Sequence, residues 1–149
     1  MSSRRRNPGE QDASSLARLL SEANRRACAD LERVLDTQGL PVDQWRVLER
    51  LADGAGRSMT ALADEVGMKL PSLSKLIDRM VGGALVQRAQ DPEDQRRVLV
   101  FVSDIGLEKH RLLQGRVRRQ RQDIETRLGD ERGRALRSLL EAFILDQRP

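Results

Sequence analysis

Two stretches narrow the fold of this chain more than any other feature: "TALADEVG", residues 60–67, and "LPSLSKLIDRMVGG", residues 70–83. Both are apolar at helical spacing, and both end on glycine, the usual stop signal of a helix. Thr60 is the expected N-cap of the first, and Pro71 stands in the first turn of the second. So few residues lie between them that the two helices must meet at a tight corner. Behind them come "ALVQR" and "RVLVFV", two runs of strand-forming residues that make a β-hairpin with residues 89–96 as its loop. That tip carries Asp91, Glu93, Asp94 and Arg96, with Arg97 opening the second strand. Which alternate set of "RVLVFV" faces the core stays open, because the run lacks clean alternation.

Helices flank this unit. From residue 12 to about 36, Leu16, Leu19, Leu20, Ala23, Ala27, Leu31, Val34 and Leu35 fall on one stripe, and Gly39 stops it. "VDQWRVLERLADG" turns Trp45, Leu48 and Leu51 inward. Ser103 is the expected cap of a long helix reaching about Leu128, and Asp130 opens a last one carrying Leu136, Leu139, Leu140, Phe143 and Ile144. The order helix, helix, short helix, helix, hairpin, helix, helix predicts a mainly α fold with a small β-hairpin wing, a winged helix-turn-helix. Residues 1–11 read as a disordered basic tail and 12–149 as a single domain. Within it, 12–37 and 103–146 are the expected dimerisation helices and 42–102 the winged DNA-binding lobe.

Several function classes fall away. The only cysteine, Cys28, allows no intramolecular disulfide. The start, "MSSRRRNPGEQD", has basic residues without the apolar run of a signal peptide, and no stretch is long and apolar enough to cross a membrane. A cytoplasmic protein is expected. With no tyrosine, one tryptophan and two phenylalanines, base stacking on aromatic platforms is unsupported. One histidine, His110, and one cysteine leave no zinc set, no Ser/His/Asp arrangement and no cofactor site. No enzyme is expected. The net charge of +4 is modest, but its bias toward arginine suits phosphates and base edges.

The DNA-facing residues follow from helix geometry. At about 100° per residue, Leu70, Leu73, Leu76, Ile77, Met80 and Val81 share a face, and Ser72, Lys75 and Arg79 point away from it. Ser74 sits nearer the edge, and Lys69 precedes the helix. Small hydroxyls with long cations are what a helix in the major groove needs, so Lys69, Ser72, Ser74, Lys75 and Arg79 are the expected contacts. At the wing, Arg96 suits a narrow minor groove, and Asp94 two residues away is expected to hold its guanidinium in a bidentate pair. Arg97 is placed to reach the DNA backbone. The competing reading is a charged loop that keeps a strand edge from aggregating.

Taken together, "LPVDQWRVLERLADG", "MTALADEVGMKLPSLSKLIDRMVGGALVQR" and "DPEDQRRVLVFVSDIG" resemble the MarR family of bacterial transcriptional regulators. The resemblance runs from Leu40 to Gly106 and departs where the family's usual Leu-Thr pair is Val102-Ser103. It implies a homodimer with interlocked terminal helices, recognition helices in successive major grooves and wing arginines in flanking minor grooves. By position, Ser72, Lys75 and Arg79 become groove contacts, and Arg96, steadied by Asp94, the wing tip. It also implies release from double-stranded DNA by a small lipophilic or phenolic effector, or by thiol oxidation. Independently of it, Leu16, Leu20 and Leu31 on the first helix and Leu139, Phe143 and Ile144 on the last need a partner, and a second copy supplies one. A two-fold dimer on a palindromic operator follows. The alternatives are a redox sensor acting through Cys28, and a winged helix used for sequence-indifferent DNA binding or for protein contacts.

Overall fold

The computed structural model describes residues 15–146; the tail expected at 1–11, with Arg4 to Arg6, lies outside them. The chain forms helix α1 (Leu16–Leu35), a 3-10 turn (Asp36–Gln38), α2 (Val42–Leu51), α3 (Met59–Val66), α4 (Leu70–Gly82), strands β1 (Val86–Gln90) and β2 (Val98–Val102), then α5 (Asp104–Leu128) and α6 (Asp130–Asp146). Sequence signals explain most of these boundaries. Ser15 Oγ accepts the N–H of Arg18 and Ser103 Oγ that of Gly106, each closing the open amides of a first turn. Gly67 ends α3 at φ 68°, its N–H satisfying the carbonyls of Ala63 and Asp64.

Two boundaries differ from the sequence reading. The cap of α3 is Ser58, whose Oγ accepts the Ala61 N–H at 3.2 Å, and Thr60 lies inside the helix. Beginning the helix at Met59 lets that side chain pack on the core, which a Thr60 cap would forgo. The hairpin is also displaced, pairing Val86 with Val102 and Gln90 with Val98, so its loop spans 91–97. Ala84 and Leu85 are spent on closing α4. Ala84 takes φ 56°, and Leu85 is buried with its N–H on the Met80 carbonyl at 2.9 Å.

One core holds the winged lobe together. Leu35, Leu40, Trp45, Leu48, Leu51, Leu62, Leu73, Leu76, Ile77, Met80, Val100, Leu113 and Val117 are all buried in it. β2 is covered on both sides, which is why its sequence does not alternate. Val100 faces the core, while Leu99 and Phe101 lie against Gly56 on the other face. Arg57 adds a third rung, its N–H and C=O bonded to Val100 at 3.0 and 2.8 Å.

Long helix α5 is fastened to the rest by its cations. Lys109 donates to the Gln38 carbonyl at 3.3 Å, Arg116 to the Thr37 hydroxyl at 3.2 Å, and Arg121 pairs with Glu49 at 2.8 Å. His110 stacks on Trp45, ring centroids 5.0 Å apart and planes 12° from parallel. Burial holds the imidazole below its ordinary pKa of 6.5, opposed by nearby Glu49. An unfolded chain therefore binds this proton more readily than the folded one, so stability is complete above 6.5 and declines as pH falls through that value toward the folded pKa. Melting temperature should drop over that interval in the wild type and drop less in His110→Gln. Parallel profiles for the two proteins would show that His110 contributes no such slope.

Beyond the core, α1 and α6 expose apolar side chains. Leu16, Leu19, Leu136, Leu139, Phe143, Ile144 and Leu145 all stand in solvent, Leu139 at 69% and Phe143 at 45%. Leu31, expected on this surface, instead packs against the chain's own core.

Candidate nucleic-acid interface

Helix α4 sits on the core through Leu73, Leu76, Ile77 and Met80. That seat turns Ser72, Lys75, Asp78 and Arg79 outward, with Ser74 half-buried at the edge and Lys69 at the N-cap. Leu70 and Val81 depart from the expected inner face, at 48% and 39% exposed, because both ends of the helix overhang the core. Pro71 fits the first turn, where an amide hydrogen would have no helical partner. The side chains of Lys69, Lys75 and Arg79 have no hydrogen-bond or ionic partner among the described residues. The outer face therefore carries unpaired cations and one acid.

The wing is built by carboxylates, though by a different bond from the one expected. Asp91 Oδ1 accepts the Glu93 N–H at 2.9 Å, and Asp94 Oδ1 accepts the backbone N–H of Arg96 at 3.1 Å. The Asp91 N–H reaches the Arg97 carbonyl and the Arg97 N–H the Asp94 carbonyl, both at 2.9 Å. Asp94 thus shapes the turn and leaves the Arg96 guanidinium alone. A short carboxylate two residues upstream reaches the main-chain amide more readily than a distant guanidinium. Arg96 and Arg97 have no side-chain partner among the described residues, so both remain available.

Sequence reading missed two residues of this lobe. Arg57 pairs with Asp53 at 2.6 Å and Glu65 at 3.4 Å, tying the extra rung to α3. The hydrogen bond from Arg57 holds the Asp53 carboxyl below its ordinary range. Arg88 of β1 pairs with Asp78 of α4 at 2.7 Å. Arg57–Glu65 and Arg88–Asp78 carry no local signal, since each joins segments that meet only after folding.

Elsewhere, α1 and α5 border a cleft of about 430 Å³, with Val34 and Ile124 among its walls and Arg33, Arg116, Arg119 and Arg127 around it. Asp30 there is paired with Arg33, and with Arg127 at 3.8 Å. Cys28 lies partly exposed on α1, its sulfur 3.8 Å from an Arg46 nitrogen. Among the described residues no cluster of three or more His, Cys, Asp or Glu is placed to hold a metal ion, and no helix is long and apolar enough to cross a membrane.

The chain is similar to known proteins in sequence and fold. Residues 38–97 match the model of the MarR family. The chain is 32% identical over 89 residues to the HTH-type transcriptional repressor IacR of Pseudomonas putida, covering 60% of this chain and 53% of that one, so it spans about half of that relative. It is 27% identical over 130 residues to the homoprotocatechuate degradative operon repressor of Escherichia coli, covering 87% and 88%. The crystal structure of the MarR family transcriptional regulator SPO1453 from Silicibacter pomeroyi DSS-3 superposes with a TM-score of 0.74 at 29% identity, over 88% of this chain and 96% of that one.

Proposed function

We propose, from the match of residues 38–97 to the MarR family model, that this chain is a MarR-family regulator: a sequence-specific double-stranded-DNA-binding, ligand-responsive repressor acting in the cytoplasm. The observation that carries this reading is the pair of cationic projections on one lobe. Lys75 and Arg79 on the outer face of α4, and Arg96 and Arg97 on the wing, have no protein partner among the described residues. A helix of this kind enters the major groove, and an arginine-tipped hairpin suits the flanking minor groove. Lys69, Ser72 and Ser74 complete the proposed contact set, and Asp94 supports the wing through its turn.

Two copies joined through α1, α5 and α6 would cover the exposed leucines and Phe143 and set two recognition helices on a palindromic operator. Residues 42–102 then act as the DNA-binding lobe of a single domain. The effector we propose is a small lipophilic or phenolic molecule. The cleft between α1 and α5 offers it apolar walls at Val34 and Ile124 and arginines for an acidic group. No catalytic role is assigned, since the one histidine is stacked on Trp45 rather than facing a nucleophile.

Titrating the protein against DNA from upstream of its own gene tests the reading. Specific binding that weakens steeply with salt is expected; equal affinity for unrelated DNA would demote the protein to a sequence-indifferent binder. Within that assay, Arg96→Ala should cost about 1–3 kcal/mol of operator affinity. An unchanged Kd would remove Arg96 from the minor groove.

A further inference from the structure

We propose that the ion pair between Asp78 and Arg88 is a positioning device, which fixes the angle of the wing to the recognition helix and so decides whether Arg96 reaches its groove. This rests on the DNA-binding reading above and names how that site is assembled. Asp78 stands on the outward face of α4, three residues from Lys75 and next to Arg79. A lone acid there would repel phosphates and weaken the surface it belongs to. Arg88 Nη2 meets its Oδ1 at 2.7 Å, so the acid is neutralised from the hairpin.

The register says why Arg88 is the residue that can do this. Val86, Arg88 and Gln90 share one face of β1, opposite Val102, Val100 and Val98. Val86 and Val100 are buried on that face, so Arg88 continues it beyond the edge of the core and projects toward α4. The wing beyond Gln90 is otherwise held by its own turn bonds and by strand pairing, neither of which touches α4. At 64% and 36% exposed, the two side chains form a surface pair, a type that adds little to stability. Its consequence is geometric: it links the element that enters the major groove to the element that enters the minor groove.

The test is a cycle of affinities on a duplex that the wild-type protein selects from a random pool. Arg96→Ala should weaken wild-type binding roughly tenfold, yet weaken Asp78→Ala less than about twofold, because the wing there is already out of place. The charge-swapped double variant Asp78→Arg with Arg88→Asp should restore a substantial Arg96 cost, a result that lost stability alone does not produce. Asp78→Asn, close to isosteric, repeats the cycle if the alanine variant folds poorly. An Arg96 cost of equal size in all backgrounds would overturn the positioning role while leaving the regulator reading intact. A wild-type protein that selects no sequence would overturn both.

Discussion

Replacing Gly106 by alanine is expected to destabilise this protein by about 3 kcal/mol, near the upper end for a single added methyl in a packed interior. Gly106 is buried in the first turn of α5, and a Cβ there would intrude on the Leu85 carbonyl oxygen and lie 3.1 Å from Leu48 Cδ2. Neither neighbour can step aside cheaply. The Leu85 carbonyl also accepts the Ser103 N–H at 3.1 Å, and the Ser103 hydroxyl holds the Ala84 carbonyl at 2.5 Å. Moving Leu85 therefore disturbs the end of α4, the root of the wing and the start of α5 together. Urea unfolding should show a lower midpoint with an unchanged m-value. Gly115→Ala on the same helix is the control, since nothing lies within 4 Å of a Cβ there. It should raise stability by roughly 0.5–1 kcal/mol through helix propensity alone. Equal effects at the two glycines would refute the close-approach argument.

The second large effect concerns the proposed dimer. Leu139 and Phe143 are one helical turn apart on α6 and both face solvent. Changing both to aspartate should leave the lobe folded, because neither belongs to the core, and should place repelling charges at the heart of a two-fold contact. The variant should sediment as a monomer. Losing the second recognition unit should then cost roughly a hundredfold or more in operator affinity, the range in which linked sites reinforce each other. A double variant that stays dimeric would move the interface off α6. A monomeric variant that keeps wild-type affinity would remove the need for two copies.

Much of this is legible in the sequence. The apolar spacing of α2 to α4, the stop at Gly67, Pro71 in a first turn and the Ser103 cap each follow from the angular repeat of a helix and the bonding needs of its ends. Ser72, Lys75 and Arg79 were assigned to the outer face by that repeat, and they lie there. Two of the misreadings share one cause, packing between elements distant in sequence. Thr60 and Ser58 are both competent caps, and only the packing of Met59 chooses between them. Ala84 and Leu85 have strand-like neighbours, and only the demand for a buried Leu85 beneath α5 takes them out of the hairpin. Asp94 was expected on a guanidinium and lies on a main-chain amide, since loop geometry, not charge, decides which donor is nearer.

Local patterning by itself determined the order of elements and the outward placing of Ser72, Lys75 and Arg79, because both depend on periods and caps within a few residues. Tertiary structure alone decided the pairs Asp78–Arg88, Arg57–Glu65 and Arg121–Glu49, the stack of His110 on Trp45, and the crowding at Gly106. Each brings together groups on different elements, and a sequence carries no local period for a contact that exists only once those elements have packed.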